Sequence, residues 1–253
     1  MRVVFLWLIF PLLTGLAHPL FKEDPELLQW VSGALSLYVL FFSIVAHEVS
    51  HGLAAYWCGD PTAKQAGRLT LNPISHVDPI GSIIVPLALH LLNSPLRFGW
   101  AKPVPFQAIN LRQHPRDQVM IAVAGPLSNF GLAYLCMQGQ FILAALLHAF
   151  PEWRYAPAPA AILFVVHTVL RMGLLINLVL GIFNLIPFPP LDGSWILKAA
   201  LPQKAAAFFH RIQPYSFIIL IAAVYLNLFD IFFYPAQIIL SLIEFAPIFF
   251  IGG

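Results

Sequence analysis

The chain has 253 residues, of which 60% are apolar and 9% charged, with thirteen Lys and Arg against eleven Asp and Glu. An ordinary soluble domain carries roughly 25% charge, so a water-soluble globule is excluded, as are disorder, which needs low hydrophobicity, and nucleic-acid binding, which needs a clustered basic face. What remains is an all-α polytopic membrane protein, because the apolar runs are long and unbroken, unlike the short alternating segments of a β-barrel.

A helix that crosses the hydrocarbon core needs about 20 apolar residues. In chain order the candidates are 3–20, 30–57, 119–149, 160–186 and 214–234, with shorter pieces at 81–96 and 235–251, which gives five or six crossings in a single membrane domain, 1–253. The stretch 1–20 reads as an N-terminal anchor helix, although Arg2 and the small-residue site Gly15-Leu16-Ala17 also fit a signal peptide. The stretch 214–251 reads as one or two C-terminal helices. Cys58 and Cys136 make no disulfide framework.

Lys and Arg favour the cytoplasmic side of a membrane. If 81–96 does not cross, segments 58–118 and 198–213 lie inside with nine basic residues, and only Lys22 and Arg154 lie outside. If it crosses, the bias reverses. The segment is also short and carries Pro86 at its centre, so it is expected to be re-entrant.

The second candidate span contains His47-Glu48-Val49-Ser50-His51. Histidines four apart lie on one helix face, one turn from each other, and can present ring nitrogens to one Zn²⁺. Glu48 projects about 100° round the helix, beside such a metal, as a general base for water requires. Two imidazoles and a carboxylate inside an apolar span are costly without partners; the plainer alternative is a buried hydrogen-bonded cluster. A third ligand must come from elsewhere. The next glutamate after Glu48 is Glu152, and positions 54 and 57 are Ala54 and Trp57, not the Gly and His of an extended motif. Asp192, in Asn184-Leu185-Ile186-Pro187-Phe188-Pro189-Pro190-Leu191-Asp192-Gly193, follows a helix-ending proline run. It is a plausible ligand, or alternatively the cap of a short helix over 194–200. For His51 and Asp192 to meet, their helices must run in the same direction, so a single crossing (119–149) must separate them. The charge distribution leads to the same topology. His167 and Arg171 share another helix face and read as packing or headgroup contacts, or as the lining of a water path.

These residues resemble the site-2 protease family of intramembrane zinc metalloproteases, peptidase family M50. The resemblance joins the His47–His51 motif to Asn184-x-x-Pro187 and Leu191-Asp192-Gly193. Gly125-Pro126-Leu127-Ser128-Asn129 looks like the family stretch that opens its next core helix, and Gly99-Trp100-Ala101-Lys102-Pro103-Val104-Pro105 fits a compact bacterial branch without PDZ or CBS domains. It covers a catalytic core of about 30–200. It implies one Zn²⁺ per chain held by His47, His51 and Asp192 with water as fourth ligand, Glu48 as general base, and Asn184 as an amide that holds substrate or stabilises the oxyanion. It also implies a short membrane-associated β-hairpin at about 64–73, whose edge would take an extended substrate by strand addition. The implied partners are the bilayer and a transmembrane protein or peptide cut near the cytoplasmic face, in a bacterial or archaeal plasma membrane. Two other classes fit some of these features: a metal-ion transporter and an inactive binder of transmembrane segments.

Overall fold

The computed structural model describes residues 24–92, 101–154, 157–202 and 211–226, with isolated positions elsewhere. Asp24 starts the first helix, α1 (Pro25–Trp57). Its Oδ1 accepts from the N–H groups of Glu26 at 3.0 Å and Leu27 at 3.1 Å, donors that a helix start leaves unpaired. Pro25 takes the first helical position, where no N–H is needed. The helix stops at Gly59, whose φ of +108° is a left-handed conformation open to glycine.

Next come a one-turn helix α2 (Thr62–Gln65), a 3-10 turn (Pro73–His76), and a π turn (Pro79–Ile84) that runs into α3 (Val85–Leu91). Asp78 caps that last pair, its Oδ1 accepting from Ile80 N at 3.0 Å and Gly81 N at 2.7 Å. Residues 101–107 form an extended strap. The helices α4 (Arg116–Ala149), α5 (Pro157–Asn184), α6 (Gly193–Ala200) and α7 (Ser216–Tyr225) complete the described chain.

Three helical stretches, Glu26–Trp57, Arg116–Ala149 and Ile162–Asn184, are long and apolar enough to cross a membrane. At 1.5 Å per residue the shortest is about 35 Å long, against a hydrocarbon core of about 30 Å. They match the expected spans 30–57, 119–149 and 160–186, while the full helices α1, α4 and α5 begin earlier, at Pro25, Arg116 and Pro157, ahead of the first apolar residues. The helical part of 81–96 runs from Pro79 to Leu91, about 20 Å and too short to cross. Positions 93–100 lie outside the described residues. So does most of the expected anchor, 1–20, and of the expected C-terminal span, 235–251; within 214–234 the helix is described over Ser216–Tyr225.

No strand forms over 64–73, which corrects the expected β-hairpin. A hairpin needs backbone groups free to form a ladder, and here they are committed elsewhere. Arg68 N–H donates to Ala63 O at 2.9 Å, across a turn at Gly67 (φ +66°). Thr70 O accepts from His76 Nε2 at 2.8 Å, and Pro73 opens the 3-10 turn.

The chain divides into two compact units, and α1, α4 and α5 each contribute residues to both. In the first, Gly139 and Gly173 of α4 and α5 let their helix neighbours come close. A Cβ on Gly139 would lie 2.7 Å from Leu170, and one on Gly173 would lie 2.5 Å from Cys136 Sγ. Small residues are the usual means of close helix packing in lipid, and they make Cys136 a packing residue. The second unit, Ile44–Phe130 with Leu178–Gln237, has two apolar clusters. Ala54, Ala55 and Ile121 pack with Leu111 and Ala124, while Ile186, Leu191 and Leu220 pack with Phe183 and Phe188.

The loop after α1 is fastened by Asp60, which is fully buried. Its carboxylate accepts from Thr62 N at 3.0 Å, Thr62 Oγ1 at 2.5 Å, Gln107 N at 2.6 Å and Asn110 Nδ2 at 2.8 Å. Burial pushes a carboxyl's pKa up, but these donors outweigh it and hold Asp60 below its ordinary value. A group held low adds stability above its unfolded pKa of about 3.9, and that stability disappears as the pH falls through the folded value. Replacing Asp60 with Asn should therefore cost about 1–3 kcal/mol at neutral pH and flatten the loss of stability on acidification below about pH 4. Thermal unfolding in detergent across that pH range checks both.

Candidate metal centre

One turn of α1 and the loop before α6 build the site, both within the second unit. His47 and His51 face the same side of α1, as their spacing requires. Asp192 stands where the proline run has ended α5 and α6 begins. Gly193 permits the tight return, since a Cβ there would overlap the carbonyls of Leu185 and Ile186. The capping alternative for Asp192 fails: its side chain makes no capping bond to α6. Its Oδ2 lies 3.0 Å from His47 Nε2 and 3.2 Å from His51 Nε2, and the two Nε2 atoms are 3.0 Å apart. Among the described residues this is the one group of three or more His, Cys, Asp or Glu side chains whose ligand atoms converge. The series of sites that a transport path needs is therefore not found there.

The other ring nitrogens fix the tautomers. His51 Nδ1 lies 2.6 Å from Ile121 O, which can only accept, so Nδ1 carries the proton. His47 Nδ1 donates to Asn129 Oδ1 at 2.5 Å, and Asn129 is fully buried in α4. In the neutral forms that can bind a metal, these tautomers turn both Nε2 lone pairs toward each other and toward a carboxylate oxygen. One added proton would satisfy one edge of this triangle and leave the remaining lone pairs opposed. A single cation at the centre satisfies all three. A tetrahedral zinc with ligands at about 2.0–2.1 Å has edges of roughly 3.3 Å, close to the spacing here.

Room for that cation comes from Gly125. A Cβ there would overlap His51 Nε2 and lie 2.6 Å from both Cε1 and Nε2 of His47. The adjacent Pro126, inside α4, gives no N–H to the turn below it. The Gly125–Asn129 stretch does not open a helix, as expected from sequence; α4 begins nine residues earlier, at Arg116, so the stretch faces the histidines from mid-helix. Glu48, half-buried beside them, accepts from Val104 N–H through Oε2 at 2.9 Å. Asn184 closes the end of α5, its Nδ2 donating to Leu180 O at 3.0 Å. His167 and Arg171 belong to the first unit and not to this cluster.

From the sequence, Gly125 and Asn129 have a place only in a helix-opening stretch, and the Ile121 carbonyl and the Val104 N–H have none. Two signals were available. A metal-binding histidine needs an acceptor for its second nitrogen, and Gly-Pro inside an apolar span weakens a helix for which some packing reason must exist.

Apolar spans that bury a His-Glu-x-x-His turn against a carboxylate define a membrane metallopeptidase. The comparisons agree. The model of peptidase family M50 matches residues 154–226. The chain is 36% identical over 180 residues, 71% of its length and 75% of the relative's, to YwhC of Bacillus subtilis (strain 168), by name a candidate zinc metalloprotease. It is 28% identical over 182 residues, 71% of its length and 62% of the relative's, to Rip2 of Mycolicibacterium smegmatis, named in the same way. No solved structure matches. The chain belongs to peptidase family M50, the site-2 protease family, and is an integral membrane protein.

Replacing Gly125 with Ala should abolish stoichiometric zinc while leaving the helices intact by circular dichroism. Replacing Asn129 with Leu should weaken zinc about 10- to 100-fold, the usual cost of losing a partner behind a ligand. Metal analysis of detergent-purified protein and competition with a chelator measure both.

Proposed function

We propose that the chain is a zinc-dependent intramembrane endopeptidase that hydrolyses a peptide bond within or near a transmembrane segment of a membrane-protein substrate, near the cytoplasmic face. The observation that carries this reading is the convergence of three lone pairs, from His47, His51 and Asp192, beside Glu48. Those three hold the metal. Both named relatives are described as zinc metalloproteases, which supports zinc. When bound, zinc supplies Lewis-acid activation of water and of the scissile carbonyl.

The chain's own residues do the rest. Glu48 is anchored through Oε2 by Val104 N–H, which leaves Oε1 to take the proton from the attacking water and pass it to the leaving amine. Asn129 and the Ile121 carbonyl keep the imidazoles turned with Nε2 inward. Asn184 gives one amide N–H to Leu180 O and keeps the second to offer to substrate. A transmembrane substrate has its carbonyls bonded within its own helix, so it must unwind locally to reach this site. The nine-to-two excess of basic residues on the segments that flank the site supports a cytoplasmic orientation. With 81–96 re-entrant, the chain crosses several times in a bacterial or archaeal plasma membrane.

Replacing Glu48 with Gln keeps the metal ligands and removes the base. The variant should retain one zinc per chain and cleave a transmembrane reporter at least about 10²-fold more slowly. Full cleavage in that variant would assign the chemistry to another group.

A further inference from the structure

Arg68 is 8% exposed and makes no ion pair among the described residues. A buried guanidinium without an anion must spend its donors on something. It spends Nη2 on the strap, while its Nε is buried without a hydrogen-bond partner among the described residues. Its Nη2 donates to Lys102 O at 2.6 Å and to Pro103 O at 3.3 Å. The next residue is Val104, whose N–H holds Glu48 Oε2 at 2.9 Å. The strap has further anchors on either side: Lys102 N–H donates to His76 O at 2.9 Å and Gln107 N–H to Asp60 Oδ2 at 2.6 Å. Phe106 meets Trp195, three residues past Asp192, edge to face with centroids 6.2 Å apart. Pro103 and Pro105 have no N–H, so the strap makes few other main-chain bonds. Val104 itself is seated against Gly52, one turn beyond Glu48, where a Cβ would come within 2.7 Å of Val104 Cγ1.

We infer that Arg68 is a positioning residue for the proposed hydrolysis: by clamping the carbonyls of Lys102 and Pro103 it sets the Val104 N–H that holds Glu48 in place. The bonds are charge-assisted and therefore stiff. Arg68 does not touch the metal ligands, so its loss leaves metal binding alone. It moves the base by a fraction of an ångström, and displacements of that order cost catalytic turnover rather than binding.

The inference rests on the reading of Glu48 as general base, and the test separates the two. The full chain in detergent is assayed on a fluorogenic transmembrane peptide that the wild type cleaves, with zinc content and hydrogen exchange over 101–107 measured alongside. Arg68→Gln should keep one zinc per chain, exchange faster across the strap, and lose about 10- to 100-fold in kcat with KM within about twofold. Arg68→Lys, which keeps a charged donor, should recover much of that loss. Val104→Pro removes the N–H itself, so adding Arg68→Gln to it should slow turnover no further. Unchanged kcat in Arg68→Gln, or losses that multiply in the double variant, overturns the inference while an inactive Glu48→Gln leaves the proposed chemistry standing. Activity in Glu48→Gln overturns both.

Discussion

Two imidazole protons are spoken for before any metal arrives, and the rest of the site depends on that. The Ile121 carbonyl takes the one on His51 and Asn129 takes the one on His47, so that in the neutral imidazoles a metal requires, the inward nitrogens carry lone pairs. Opposed lone pairs 3.0–3.2 Å apart, in surroundings where water is scarce, repel. The fold holds them together because α1, α4 and the loop before α6 are each fixed for other reasons: by capping acids, by close glycine contacts and by small apolar clusters. A cation held there would convert that repulsion into binding energy and would stabilise the fold as well as the proposed chemistry.

The absence of side chains matters as much as their presence. Gly125 leaves the volume in which the cation sits, Gly193 lets Asp192 turn back against the end of α5, and Gly52 lets the strap lie on α1 beside Glu48. One methyl group would meet imidazoles at Gly125, backbone carbonyls at Gly193 and the Leu69 and Val104 side chains at Gly52. The strap then adds an ordered N–H to Glu48, the carboxylate proposed to move protons. A fixed donor on one oxygen leaves the other with a defined direction, which is what pre-organisation requires of a base.

Much of this was legible in the residues. The long apolar runs gave three of the described helices, because lipid admits few alternatives to a helix. The scarcity of acids narrowed the choice of a third ligand to Asp192, since so few carboxylates stand at a broken helix end. The illegible parts were those in which the backbone acts. Nothing in the letters marks the Ile121 carbonyl or the Val104 N–H, because every residue except proline carries both groups. The Gly125–Asn129 stretch was given a helix-opening place by its family resemblance alone, although the apolar run around it already begins at 119 and the helix at Arg116. The hairpin expected over 64–73 failed because the Arg68 main-chain N–H is spent on Ala63 O and the Thr70 carbonyl on the His76 side chain, in place of a ladder.

The proposed chemistry depends on one coordination sphere. X-ray absorption at the zinc edge of the purified, metal-loaded chain reports it directly. It should show one zinc with two imidazole nitrogens at about 2.0–2.1 Å and light oxygen ligands at about 2.0–2.2 Å. A sulfur shell at about 2.3 Å, or zinc bound with no imidazole signal, would contradict it.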